Sequence, residues 1–135
     1  MSGDWDSIRA ALETRLNSIA SPLPTAWENV PFTQPITAFQ RAYILPANSA
    51  TPSFGDNLSM ESGLLKISLC YPEGTGPAAA LARALSIRAW FPRGLSVTSG
   101  GITVRISSKP SIAPALYEPG LYVVPVTIPF FCYLP

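Results

Sequence analysis

The feature that most constrains this chain is a strand, a turn and a helix in direct succession between Leu64 and Phe91. Leu65, Ile67, Leu69 and Tyr71 alternate with Leu64, Lys66, Ser68 and Cys70, the period-two pattern of a strand with one buried face. Pro72-Glu73-Gly74-Thr75-Gly76-Pro77 breaks that strand. The run from Ala78 to Phe91 then sets Ala80, Ala84, Ile87 and Phe91 in one helical row, with Leu81 and Leu85 in a second row beside it. Arg83, Ser86 and Trp90 fall on the other side, and Pro92 ends the run. Such a handover predicts a helix lying back on a sheet.

The remaining segments supply the rest of that sheet. Asp4 to Ile19 predicts a helix, because Trp5, Ile8, Leu12, Leu16 and Ile19 form one stripe with Arg9, Glu13 and Asn17 opposite. Prolines at 22, 24, 31 and 35 deny the next segment a regular ladder. Thr25 to Ile36 therefore reads as an extended arm with a short strand at most, anchored by Trp27 and Phe32. Ala38 to Pro46 predicts a strand with Phe39, Tyr43 and Leu45 on one face, interrupted by Arg41. Ala47 to Ser62 is a long polar loop, either a hairpin tip or a segment that orders on a partner. Leu95–Thr98 and Ile102–Ser107 read as a hairpin around Ser99-Gly100-Gly101. Lys109 to Pro119 is a proline-punctuated connection. Leu121 to Tyr133 is a long strand with an apolar even face, and Pro125 and Pro129 strip donors from one of its edges. That edge is expected to face solvent or a non-sheet contact. The sum is α+β, a two-layer sandwich of a mainly antiparallel sheet of about five strands with two helices on one face, in a single domain over residues 1–135.

The residue inventory argues against most chemistry. There is no histidine, which removes the commonest general base and metal ligand together. The near acid pairs, Asp4 with Asp6 and Asp56 with Glu61, lie at a helix start and in the polar loop. Gly74 and Gly76 hint at a phosphate cradle, but the helix opens on Pro77 and alanines with no cation, and Glu73 repels phosphate. The loop is read as a structural corner, with no cofactor and no metal expected. Cys70 and Cys132 sit in apolar runs and read as buried thiols rather than a disulfide. A net charge of +1 with 13 % charged residues gives no reason for nucleic-acid or membrane binding and favours an oligomer. Nothing resembles a signal peptide or a membrane span, which points to synthesis in the cytoplasm.

Four strings in order carry a family resemblance. They are Trp27-Glu28-Asn29-Val30-Pro31-Phe32; Tyr71-Pro72 followed by Gly74-Thr75-Gly76-Pro77 and an alanine-rich helix; Phe91-Pro92-Arg93-Gly94; and the run from Tyr122 to Phe130. Together they resemble small phage and prophage proteins related to the tail terminator of lambda-like siphophages. The resemblance implies a hexameric ring on the head-proximal end of the tail tube, which stops tube growth and meets head-completion proteins. The implied partners are other copies of the chain, the major tail tube protein and a head-completion or connector protein. Alternatives are another head–tail connector or minor tail protein of similar fold. In a different class stands a small ligand-binding or enzymatic domain using the Gly74/Gly76 loop.

The residues singled out for an interface are Arg83, Arg88 and Trp90 on the second helix, with Arg41 and the loop around Phe54. Arg88 falls between the two apolar rows, so it can either cap its own helix C-terminus or cross to a neighbour. Arg83 and Trp90 are read as having no place in the domain's own core.

Overall fold

A computed structural model describes residues 2–47 and 59–134. Ten elements follow in order: α1 (Ser2–Asn17), β1 (Thr25–Trp27), β2 (Phe39–Pro46), β3 (Ser59–Pro72), α2 (Ala78–Trp90), β4 (Ser96–Ser99), β5 (Ile102–Ile106), β6 (Ser111–Ile112), β7 (Leu116–Glu118) and β8 (Leu121–Leu134). The sheet runs β1-β2-β3-β8-β5-β4, and β6 and β7 also pair with β8. The fold is α+β with two helices, as expected, and the sheet is mainly antiparallel, but it is curled and has eight strands among the described residues rather than about five, one pair of them parallel.

Two departures have local causes. β1 pairs with β2 in parallel, Thr25 opposite Gln40 and Trp27 opposite Ala42. The proline-bearing arm after Trp27 is long enough to carry the chain back to the same end before β2 begins. Gln40 is buried and seals this joint: its backbone N–H donates to Pro24 O at 2.9 Å, and its Nε2 donates to Thr25 Oγ1 at 2.9 Å. The other departure is along β8. β3 pairs with all of one β8 edge, from Ser59 opposite Leu134 to Pro72 opposite Leu121. The opposite edge is where Pro125 and Pro129 turn their missing donors, and it is covered rather than open. β7, β6 and β5 take it in turn, at Leu121–Val123, Val126–Thr127 and Phe130–Phe131. A residue of an antiparallel ladder directs its N–H and C=O to the same side. Ala113 N–H reaches Pro125 O at 2.9 Å and Ser107 N–H reaches Pro129 O at 3.1 Å, but neither proline can return a bond. The prolines thus break the facing partner into three short strands.

The core lies between one sheet face and both helices. Ile8, Leu12 and Leu16 of α1 share a cluster with Ala80, Ala84 and Ile87 of α2. The sheet adds Leu65, Ile67 and Leu69 of β3, Val104 and Ile106 of β5, and Val124, Val126, Ile128 and Phe130 of β8. The expected faces of both helices, β3, β5 and β8 are therefore the buried ones. β2 is the exception. Ala42 and Ile44 face this core, whereas Leu45 is exposed and Phe39 points to the other side of the sheet. There Phe39 joins Cys70, Leu121 and Val123 in a second, small cluster. The parity read from Phe39, Tyr43 and Leu45 is thus inverted, because both faces of β2 carry apolar residues and, of these three, Phe39 alone enters the smaller core.

Gly63 marks a close approach of backbone and side chain in the sheet. A Cβ there would stand 2.7 Å from Leu45 O and 2.9 Å from the Phe130 ring. That ring also meets Trp5 edge-on at 6.2 Å. The β4–β5 turn at Gly100-Gly101 has φ of 57° and 80°, the doubly positive geometry that suits a tight hairpin. Cys70 and Cys132 are both buried, opposite Val123 and Glu61 respectively. From residue 123 to 132 along β8 is roughly 30 Å of strand, far beyond disulfide reach.

Candidate interaction surfaces

The Gly74/Gly76 loop is a corner, as its composition suggested. Glu73 N–H donates to Gly120 O at 3.0 Å, which carries the β3–β8 ladder one step past the strand end. Thr75 Oγ1 donates to Pro72 O at 2.8 Å and closes the turn. Gly74 and Gly76 take φ of 86° and 82°, which only glycine adopts without strain. The loop also walls a cleft of about 420 Å³ with Glu73, Pro77, Tyr117 and Tyr122. The two tyrosine rings meet edge to face at 5.5 Å. Among the described residues no three His, Cys, Asp or Glu side chains gather where they could hold a metal. Nor is any described helix long and apolar enough to cross a membrane.

The arginines and tryptophan singled out on α2 are engaged inside the chain. Trp90 is half-buried against the core, and its Nε1–H donates to Arg15 O at 2.7 Å. In return Arg15 donates to Trp90 O through Nε at 3.1 Å and through a terminal nitrogen at 2.7 Å. Its guanidinium lies 3.8 Å from the Trp90 ring centre. Each helix end leaves carbonyls without intrahelical donors. Here α1 and α2 cap one another's last turn, with Arg15 also placing positive charge at a helix C-terminus. Arg83 donates to Ser21 O at 2.6 Å and to Ala20 O at 3.5 Å, closing the chain beyond α1. Arg88 donates to Pro110 O at 3.2 Å. Trp90 thus packs against the core from which it was expected to be absent, whereas Arg83 stays outside it and ties down exposed backbone. The partner of Trp90 lies 75 residues away in sequence, so no local pattern could show it.

Arg41 lies on the sheet face away from the helices. It forms a two-pronged ion pair with Glu118 of β7 at 3.0 and 3.1 Å. Its guanidinium sits 5.7 Å from the Phe39 ring centre. The Arg41 hydrogen bond holds the Glu118 carboxyl below the usual carboxylate range. Phe54 lies outside the described residues, as does most of the polar loop that contains it.

The string beginning Trp27-Glu28 acquires a physical role. Trp27 packs against the core. Glu28 Oε1 accepts from the Ile44 N–H at 2.8 Å and from Arg9 at 2.9 Å. The carboxylate thereby takes over β2's edge where the short β1 has stopped. The Ile44 bond is the main reason its pKa is lowered, with Arg9 adding to the effect. Asn29 takes a φ of 54°, and Val30 N–H returns to Trp27 O at 3.3 Å. Cys70, buried beneath Phe39, has its thiol pKa pushed up by burial.

What remains exposed is apolar. Leu81 and Leu85, the second row of α2, are 49 % and 47 % exposed rather than tucked beside the core row. Tyr117 is 76 % exposed at the mouth of the cleft, and Ile36 on the arm is 96 % exposed. The frame is a small α+β domain that leaves apolar side chains on its surface. A family model described as phage tail terminator protein matches residues 7–130, and the chain belongs to that family. It is thus a structural component of a phage tail. A solved structure that is 30 % identical superposes with a TM-score of 0.78, covering 95 % of this chain and 94 % of that one. Nothing among the curated proteins matches.

Proposed function

We propose that this chain is the ring-forming subunit that ends a phage tail tube. Copies assemble, as a hexamer, on the head-proximal end of the tube of a siphophage or prophage. There they stop further addition of tube subunits and present a surface to the head-completion protein. The role is structural rather than catalytic, and the chain works in the host cytoplasm until the virion is complete. Its partners are other copies of itself, the major tail tube protein and the head-completion or connector protein. It needs no cofactor and recognises neither nucleic-acid sequence nor membrane.

The family match over residues 7–130 carries this reading. Apolar side chains left in water on α2 and on the arm support it, because such surface is costly to leave uncovered. Arg41, Arg83, Arg88 and Trp90 remain secondary contact candidates, since each keeps an internal bond while part of its side chain stays exposed. The test is an assembly assay with purified tube protein, read by electron microscopy alongside native mass spectrometry. Tubes of limited length with a capped end are expected. A chain that stays monomeric and leaves tube length unchanged would refute the proposal.

A further inference from the structure

We infer that Glu28 guards the outer edge of β2 and keeps that edge from pairing with the β2 of a second copy. β2 uses its two edges by parity. Gln40 N–H donates outward to Pro24 O at 2.9 Å, and Ala47 N–H, just past the strand, donates inward to Ser62 O at 2.8 Å. Even-numbered residues therefore direct their N–H groups to the outer edge, and odd-numbered ones to β3. β1 covers the outer edge only as far as Ala42, opposite Trp27. Among the described residues no strand continues that cover. Beyond it on the same edge stand Ile44 and Pro46. Pro46 has no N–H, so the Ile44 N–H is the last donor that β2 offers on this side.

Glu28 takes that donor. In the β1–β2 register, the parallel ladder's next acceptor for Ile44 N–H would be the backbone carbonyl of Glu28. The chain turns away at Asn29, whose φ is 54°, and Glu28 supplies a side-chain oxygen instead, 2.8 Å from Ile44 N. Arg9 of α1 donates to the same oxygen at 2.9 Å and so holds the carboxylate over the edge from the helix side. The edge has reason to be guarded. Ala42-Tyr43-Ile44-Leu45 carries no charge, and Leu45 is 42 % exposed. An uncharged edge segment of such residues is a template for strands of other chains. Every copy carries the same edge, so two copies could pair it antiparallel about a two-fold axis. With Glu28 in place, an incoming strand finds no free donor at Ile44 or at Pro46, and its carbonyls there would be buried unpaired. The guard acts on this edge alone, so it is independent of the ring reading above.

The test is amide hydrogen exchange by NMR on the full chain, with the Ala47 amide as the inner-edge reference. Glu28→Ala should speed exchange at Ile44 by about tenfold or more, the loss of a bond to a charged acceptor, and leave Ala47 unchanged. Glu28→Gln keeps an acceptor oxygen and should stay within a few-fold of wild type. Thermal melts confirm folding, and Glu28→Ser, also too short to reach Ile44, replaces Glu28→Ala should that variant not fold. In analytical ultracentrifugation Glu28→Ala should form larger species than wild type does under the same conditions. Adding Leu45→Lys, which sets a charge on the same edge, should remove them. An Ile44 amide as slow in Glu28→Ala as in wild type would overturn the inference, as would Glu28→Gln exchanging as fast as Glu28→Ala. So would a folded Glu28→Ala chain that associates no further than wild type, or larger species that persist with Leu45→Lys.

Discussion

Replacing Trp90 by alanine should destabilise the monomer itself. The side chain is half-buried against the core, so the loss of packing falls below the ~3–5 kcal/mol typical of a fully buried tryptophan. To that loss are added the indole N–H bond to Arg15 O, about 1 kcal/mol, and the cation–π contact at 3.8 Å, about 1 kcal/mol at a partly exposed site. A total near ~3 kcal/mol follows, equivalent to a fall in melting temperature of roughly 10 °C for a domain of this size. The sharper quantity is the coupling. Arg15→Ala removes the same cation–π contact and both bonds to Trp90 O, so the two substitutions should not add. A double-mutant cycle by urea denaturation should give an interaction energy of about 1–2 kcal/mol. Additive effects, or a Trp90→Ala loss below about 1 kcal/mol, would show that the mutual capping of α1 and α2 contributes nothing to stability.

Three further outcomes follow from the described contacts. Gly63→Ala should cost about 1–3 kcal/mol in urea denaturation, since its Cβ meets the Leu45 backbone oxygen at 2.7 Å, which cannot yield as a flexible side chain would. Glu28 has a folded pKa below its unfolded value, so the stability it contributes is present above the ordinary carboxylate pKa and is lost as pH falls through the lowered one. Glu28→Gln should therefore weaken the dependence of stability on pH in the acid range below about pH 5, and an unchanged acid limb would contradict the Ile44 and Arg9 bonds. Cys70 should resist a disulfide-exchange reagent in the native state and react on unfolding, because burial both raises its pKa and blocks access.

Legibility from sequence tracked how local the deciding interaction is. The even positions of β8 and the Ala80–Ala84–Ile87–Phe91 row of α2 have one apolar side each and were readable at once. β2 was misread because Phe39, Tyr43 and Leu45 outweigh Ala42 and Ile44 in size, and nothing local shows that the sheet has a second small core. The edge bearing Pro125 and Pro129 was expected to stand clear of the sheet. Removing two donors instead interrupts a partner without excluding one. Leu81 and Leu85 form a second apolar row in the sequence, and only the finished packing leaves that row outside. The second core likewise explains why Arg41 interrupts an apolar face: it lies over Phe39 and binds Glu118, which joins the chain 77 residues later.

The order of synthesis adds a consequence to the position of β8. It lies between β3 and every strand of the β4–β7 segment, yet it is translated after all of them. At ~5–20 residues per second, the interval between completing Pro72 and completing Leu134 is roughly 3–12 seconds. Throughout that time the long edge of β3 has no partner from its own chain, and the Val124, Val126, Ile128 and Phe130 share of the core is missing. The nascent chain is thus unable to complete its sheet until β8 is made. A chain terminated before residue 121 is a sticky intermediate rather than a shortened but working protein.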